Sequence, residues 1–349
     1  MTSSAVRYAL AIVIGASILC LASCDGEGPR RHAYELSGPT MGTTYNITVV
    51  SPPEIPNLES IRTEVNDALS ELVSSMSTYR EDSELSLFNK QRDTDWHEVS
   101  PELCKTVQDA ISVSRLSDGA FDVTIAAVVN LWSFGPDTGA TGTPSADQIK
   151  AALLESGYQH LFVDCKRLLL RKDLPGISID LSGIAKGFAV DQMARILLKH
   201  GLTDFLVEIG GELRMSGRNP HGNNWAIAIE APERFRRDVE TIVETTDVGV
   251  ATSGDYRNFF EDKGKFYSHI IDPLTGYPID HATASVTVVA QSTAMADALA
   301  TALLVMGAER GLELAERENI AALFLVRDGT GITERRSSRF AFGANRDGP

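Results

Sequence analysis

Runs with the two-residue period of a strand are interspersed along this chain with longer runs at helical spacing, and neither kind is grouped apart from the other. That pattern predicts a mixed α/β or α+β fold. Tyr45 to Val50 alternates like a strand, Pro52, Pro53 and Pro56 interrupt it, and a helical pattern runs from Leu58 to Met76. A second helix is expected from Pro101 to about Leu116, and a third from Ala146 to Ser156. Between them, residues 135 to 144 hold enough Gly and Pro to read as a surface loop. Short β-rich runs follow at Leu161 to Asp164, Arg167 to Arg171 and Gly176 to Leu181, then a helix from Phe188 to His200 ended by Gly201. Further strands are predicted at Phe205 to Ile209, Trp225 to Ile229, Thr241 to Thr245, Phe266 to Ile271, Ala284 to Ala290 and Ala322 to Val326, with a long helix from Thr293 to Met306. No repeat or sharp compositional shift divides the chain, so residues 34–349 are expected to form one domain, with at most two intimate lobes.

The N-terminus has a different character. Arg7 precedes an uncharged apolar run that is shorter than a bilayer span and ends in Leu21-Ala22-Ser23-Cys24. One cation, a short apolar stretch and small residues before a cysteine describe an export signal over 1–23, with Cys24 the residue that receives lipid. Residues 24–33, rich in Gly, Pro and charge, read as a tether. The chain carries 32 basic and 47 acidic residues, a net charge of −15. So acidic a protein is not expected to bind nucleic acid, because that affinity comes mainly from Lys and Arg neutralising phosphates. Of four cysteines, Cys20 leaves with the leader and Cys24 is the lipidation site. Cys104 and Cys165 remain, and we expect them unbridged.

Several constellations can carry chemistry. Asp297 and Thr301 are four residues apart, so their oxygens share a helical face one turn apart, and hard cations such as Mg²⁺ prefer oxygen ligands of this kind. Taken alone, such a pair is more often solvated or locally bonded. In Asp180-Leu181-Ser182-Gly183-Ile184-Ala185-Lys186-Gly187 an acid closes a strand and a small-residue turn opens a helix, which offers backbone N–H groups and Lys186 to a phosphate. Its bland reading is an ordinary strand-to-helix turn. His269, at a predicted strand end in Ser268-His269-Ile270-Ile271-Asp272-Pro273, can accept a hydroxyl proton near neutrality, although a lone histidine there is usually structural. Gly119 to Thr124 and Leu131 to Gly135 hold aromatic and small residues able to sandwich a planar ring, or simply to fill a core.

These pieces occur in an order that resembles one family, the bacterial FAD:protein FMN transferases or ApbE-type lipoproteins. The resemblance rests on Thr40-Met41-Gly42-Thr43-Thr44-Tyr45, Ser77-Thr78-Tyr79 with Asp82 to Leu85, Gly119 to Thr124, Asp180 to Gly187, Gly210-Gly211-Glu212, Ser253-Gly254-Asp255-Tyr256, Ser268 to Pro273 with Thr275-Gly276, and Ala296 to Ala302. It implies an enzyme that binds FAD with Mg²⁺, splits the pyrophosphate, and joins the FMN half through a phosphoester to a threonine of an exported acceptor protein, releasing AMP. It further implies that Met41, Tyr79, Ala120, Phe121, Asp122, Asp180, Lys186 and Ile271 contact FAD, and that Asp297, Thr301 and the main-chain oxygen of Gly183 hold the metal. Family members often carry alanine where this chain has Gly183, a change a carbonyl ligand tolerates.

Joined to the residue reading, the expected chemistry is phosphoryl transfer. A cation at Asp297 and Thr301 neutralises the pyrophosphate, Lys186 adds charge, and His269 serves as base for the threonine hydroxyl, with Asp272 and Asp255 as alternatives. The rivals are an FAD pyrophosphatase that uses water in place of threonine, a non-catalytic flavin-binding lipoprotein, and a periplasmic solute-binding lipoprotein. Acceptors in the family are commonly subunits of ion-pumping redox complexes. Asp25 beside the anchor suggests the periplasmic side of the inner membrane.

Overall fold

The chain enters its fold through a hairpin, β1 (His32–Thr40) and β2 (Thr43–Ser51), whose register pairs Thr40 with Thr43 across a two-residue turn. The structure, a computed structural model, describes residues 31–51, 57–136, 142–232, 238–256, 259–262, 264–329 and 331–341. The leader, Cys24, most of the tether, the prolines at 52, 53 and 56, and the middle of the loop read at 135–144 lie outside them. After the hairpin come α1 (Leu58–Met76), α2 (Glu84–Lys90), β3 (His97–Glu98), α3 (Pro101–Leu116), α4 (Ala126–Leu131), α5 (Ala146–Leu153), β4 (Leu161–Asp164), β5 (Leu169–Lys172) and α6 (Ala185–Lys199). The second half holds β6 (Asp204–Ile209), β7 (Glu212–Ser216), β8 (Trp225–Glu230), β9 (Val239–Thr245), β10 (Gly249–Gly254), β11 (Phe259–Asp262), β12 (Lys265–Ser268), β13 (Thr283–Ala290), α7 (Thr293–Arg317), β14 (Ala321–Asp328) and β15 (Gly331–Arg336).

Eight strands form one sheet in the order β1-β2-β6-β7-β10-β13-β14-β15, antiparallel at every step. Its two faces have different cover. Tyr45, Ile47 and Val49 of β2, Val288 of β13 and Phe324 of β14 join the main core with residues of α1, α3, α6 and α7. Val50, Val289, Leu323 and Leu325, on the opposite face, pack with Trp225, Ile227, Ile229 and Val243 of the β8–β9 ribbon. Strands covered on both sides have no polar face to show, which is why Ala284 to Ala290 and Ala322 to Val326 read as nearly continuous apolar runs. An antiparallel sheet with helices gathered on one face is an α+β architecture, as the interspersed patterns predict.

The helices follow from local sequence. Ile61, Val65, Leu69, Leu72 and Met76 form the buried stripe of α1. In α3, Ser100 accepts a hydrogen bond from the Leu103 N–H and Pro101 occupies the first turn. The expected end of the last helix at Met306 is a real break, because Gly307 lies at φ 75°, ψ 169°, but helical structure resumes and α7 continues to Arg317.

Four expectations are corrected. Gly176 to Leu181 is not a ladder strand. It makes an isolated bridge between Ser178 and Ile125, and its central backbone is held by a side chain, since Asn89 donates to the Ile179 carbonyl at 2.8 Å and accepts from the Ile179 N–H at 2.7 Å. Helix α6 starts at Ala185, three residues before the predicted start. Strand β1 begins at His32, inside the stretch read as tether, because pairing with Ser51 satisfies backbone that a free tether leaves to water. Finally, Cys104 and Cys165 are joined in a disulfide, not unbridged. The packing of α3 on β4 brings their Cα atoms to 5.7 Å, within the range a disulfide spans, although 61 positions separate them in sequence.

Candidate functional site

Asp297 sits on the most enclosed stretch of α7, among Ala294, Ala296, Ala298, Ala300 and Ala302, and is itself only 3% exposed. The alanines let other backbone come close on several sides. At the helix start, a Cβ on Gly187 of α6 would fall 2.8 Å from the Ala294 Cα and closer still to the Thr293 carbonyl, and a Cβ on Gly249 of β10 would fall 2.6 Å from the Thr293 N. Asp191, one turn along α6 from Gly187, accepts the Thr293 and Ala294 N–H groups, each at 3.0 Å, and the Ser292 hydroxyl at 2.8 Å. This cap from another helix fixes the α6–α7 register. In that register the Gly187 N–H donates to Asp297 Oδ2 at 3.1 Å.

One turn on, Thr301 Oγ1 lies 2.9 Å from Ser253 Oγ, at the end of β10. Gly183, in the turn before α6, faces the same spot: a Cβ built on it would lie 3.5 Å from Thr301 Oγ1 and 3.0 Å from the Phe121 ring. An alanine here is accommodated if that ring gives way slightly. Lys186 reaches in from α6, its Nζ 3.1 Å from Glu212 Oε1 and 3.8 Å from Asp297 Oδ2. Burial, followed by the charge of Lys186 acting the other way, leaves the Asp297 pKa above the usual carboxylate range. Burial likewise raises Glu212 to about 7, with Lys186 again opposing and Asp297 adding to the rise.

The predicted Asp297, Thr301, Gly183, Lys186 and Phe121 are thus brought together. Ser253 and Glu212 belong with them, and neither had a role assigned from sequence. Among the described residues no three His, Cys, Asp or Glu side chains cluster to hold a metal. The donors present are one carboxylate, a hydroxyl and neighbouring main chain, all hard oxygens. Such a set fits Mg²⁺.

The other predicted residues form a second group. Tyr79 is 72% exposed, yet its hydroxyl donates to the Phe134 carbonyl at 3.3 Å. Desolvation at the hydroxyl end, then the charge of Asp180, raises its pKa. The His269 ring meets Phe134 edge-on at 6.3 Å between centroids, so His269 lies on this side of the site. Asp180 accepts the Ser182 N–H at 2.8 Å and so shapes the turn that leads to Gly183. Asp122 accepts from the Thr124 N–H and hydroxyl and from the Tyr158 N–H, at 2.6–2.8 Å, which occupies both its oxygens with protein donors, while burial still raises its pKa. Ala120 and Ile271 are buried, Ile271 within a small cluster that includes Trp132 and Ile149.

Met41 sits at φ 48° ahead of Gly42 at φ 73°, both left-handed, in the β1–β2 turn. A methionine there stores strain of the kind found at functional sites, and Met41 packs against the main core. The two alternative bases are otherwise engaged. Arg327 grips Asp255 with two hydrogen bonds of 2.7 Å, and Asp272 accepts the Leu274 N–H at 2.9 Å and the Thr275 hydroxyl at 3.1 Å.

Known proteins resemble this chain over nearly its whole length. The chain is 45% identical to the FAD:protein FMN transferase of Vibrio cholerae over 94% of its own length and 97% of that protein, and 40% identical to the enzyme so named in Haemophilus influenzae, over 94% and 96%. It superimposes on the solved structure of the flavin transferase ApbE from Vibrio cholerae with a TM-score of 0.82 at 44% identity, covering 89% of this chain and 98% of that one. The profile of the ApbE family matches residues 41–324, which takes in the Met41 turn, the Asp180–Gly187 turn and the Asp297–Thr301 helix, and the chain therefore belongs to the ApbE family.

Proposed function

We propose that this protein is an FAD:protein FMN transferase that uses Mg²⁺ to move FMN from FAD onto a threonine hydroxyl of an exported acceptor protein. The observation that carries the reading is Asp297, a carboxylate buried in an alanine-lined helix, one turn from Thr301 and beside Lys186. Burying such a group is costly unless a cation meets it. When bound, Mg²⁺ supplies positive charge to the pyrophosphate and to the leaving AMP.

The chain's own residues do the rest. Asp297, Thr301 and the Gly183 main chain would hold the ion. Lys186 sets an ammonium beside it, where charge builds as the phosphoanhydride opens. Tyr79, exposed over its ring, offers a platform for the isoalloxazine, and Phe121 closes the floor near Gly183. His269 takes the proton as the threonine oxygen forms a bond to the FMN phosphorus, while the bond from that phosphorus to the bridging oxygen breaks and AMP leaves with the bridge. The clamps on Asp255 and Asp272 favour His269 over those two carboxylates as the base.

The test is to incubate the purified protein with FAD, Mg²⁺ and an exported acceptor domain and follow flavin fluorescence in gel, with the mass gain of FMN on threonine. Asp297→Ala is expected to lose transfer by about 10²–10³-fold, the scale of a lost electrostatic contact to the transition state. His269→Ala should slow it by about 10²–10⁴-fold with FAD binding kept. Free FMN with an unlabelled acceptor would instead make the protein a pyrophosphatase, and unchanged FAD a carrier.

The anchor belongs to the same proposal, with Cys24 acylated and the domain held on the periplasmic side of the inner membrane. No helix among the described residues is long and apolar enough to cross a membrane. Cys24→Ala is expected to move the protein to the soluble fraction, and unchanged membrane fractionation would exclude the anchor.

A further inference from the structure

Strands β6 and β7 are joined by Gly210 and Gly211, at φ 60° and 104°, in a register that pairs Ile209 with Glu212. The turn serves as a saddle for Lys186. A Cβ on Gly210 would lie 3.3 Å from Lys186 Cδ, so the lysine stem crosses the glycine face and its ammonium ends 3.1 Å from Glu212 Oε1. Glu212 is 5% exposed, and its Oε2 is buried without a hydrogen-bond partner. Stability gives no reason for this arrangement, because a buried carboxylate with one bare oxygen costs free energy that an apolar side chain of similar volume avoids.

Its consequence lies in how Lys186 divides between two carboxylates. Glu212 holds the ammonium at hydrogen-bond distance, whereas Asp297 Oδ2 stands 3.8 Å away and receives the Gly187 N–H. Without the Glu212 charge, the same stem would let the ammonium close on Asp297, and a cation would first have to break that pair. We propose that Glu212 is a positioning residue: it draws Lys186 off Asp297 and so keeps the Asp297 carboxylate available to a divalent cation. This rests on the reading of Asp297 as a metal ligand. Glu212 touches no reacting atom and acts through Lys186.

The test measures metal binding alone, with no flavin and no turnover. Mn²⁺ is titrated into the purified full chain and followed by electron paramagnetic resonance, with Mg²⁺ competition, for wild type, Glu212→Gln, Lys186→Met and the double variant. Glu212→Gln should weaken the cation by about tenfold or more, the usual effect of losing a residue that orients a metal ligand. The double variant, lacking the competing ammonium, should regain affinity to within about threefold of wild type, a rescue on the same scale. Melting curves of the metal-free variants check that each is folded. Wild-type affinity in Glu212→Gln overturns the proposal. So does a double variant as weak as Glu212→Gln, since that result makes Glu212 a direct ligand. If wild type binds no Mn²⁺, or Asp297→Ala binds it equally well, it is the metal reading itself that fails, and the two failures are distinguishable.

Discussion

Lys172 shows how a side chain outside the chemistry can still set it up. It is 1% exposed, and its ammonium donates to the carbonyls of Ile177 at 2.8 Å, Asn89 at 3.4 Å and Phe88 at 3.5 Å. With the Asn89 side chain on Ile179, it anchors the segment that delivers Asp180 and Gly183. Burial, then the charge of Arg92, lowers its pKa to about 8. The folded protein therefore binds this proton more weakly than the unfolded chain, whose lysines titrate near about 10.4. Between those values the unfolded state holds more protons, so this group makes stability rise with pH across that window and stay flat below it. Urea midpoints at pH 8 and pH 10 should show that rise in wild type and a smaller one in Lys172→Met; equal slopes would mean the ammonium is not strained by burial. At this scale the sequence is a partial guide. The four-residue spacing of Asp297 and Thr301 exposes itself in one dimension, but Glu212 and Ser253 gain meaning only from partners far away along the chain.

Among the elements, the crossing of α6 on α7 matters most to the site. Gly187 and Asp191 on one helix meet Asp297 and Thr293 on the other, one turn apart on each, so a single register sets both the cap and the hydrogen bond to the Asp297 carboxylate. Gly187→Ala inserts a methyl where the Thr293 carbonyl and Ala294 Cα already stand. It is expected to cost about 1–3 kcal/mol, the range for overpacking, and to lower Mn²⁺ affinity by displacing Asp297. Denaturant unfolding and metal titration together check this, and a variant as stable as wild type would show that the helices can separate without loss. The sequence marks α1 from Leu58 to Met76 and the start of α7 at Thr293, because their stripes and caps are local, but it places the start of α6 three residues late and stops α7 at the Gly307 break. It misleads at Gly176 to Leu181, where Ile177, Ile179 and Leu181 alternate like a strand but the partner is a side-chain amide.

For the whole molecule, the Cys104–Cys165 disulfide ties α3 in the main core to the end of β4, closing a loop of 61 positions. A link over such a span removes much freedom from the unfolded chain, and losing it typically costs about 2–4 kcal/mol. Cys104→Ala with Cys165→Ala should lower the urea midpoint by a matching amount and leave metal binding in place, because neither cysteine is among the residues proposed to hold the metal. An unchanged midpoint would show that the tie is redundant with the core.

The sequence by itself determined most of the local patterns: where the main helices and most strands run, that they mix, and that an acid and a hydroxyl share one face of the last helix. Those features depend on residues within a turn or two of each other, where period, caps and glycines act directly. Only the tertiary structure decided that the cysteines pair, that Asp191 caps a distant helix, that Arg327 occupies Asp255, and that Lys186 lies between two carboxylates. Each of these depends on a distance between residues far apart in the chain, and that distance is set by how a sheet buried on both faces packs against its helices.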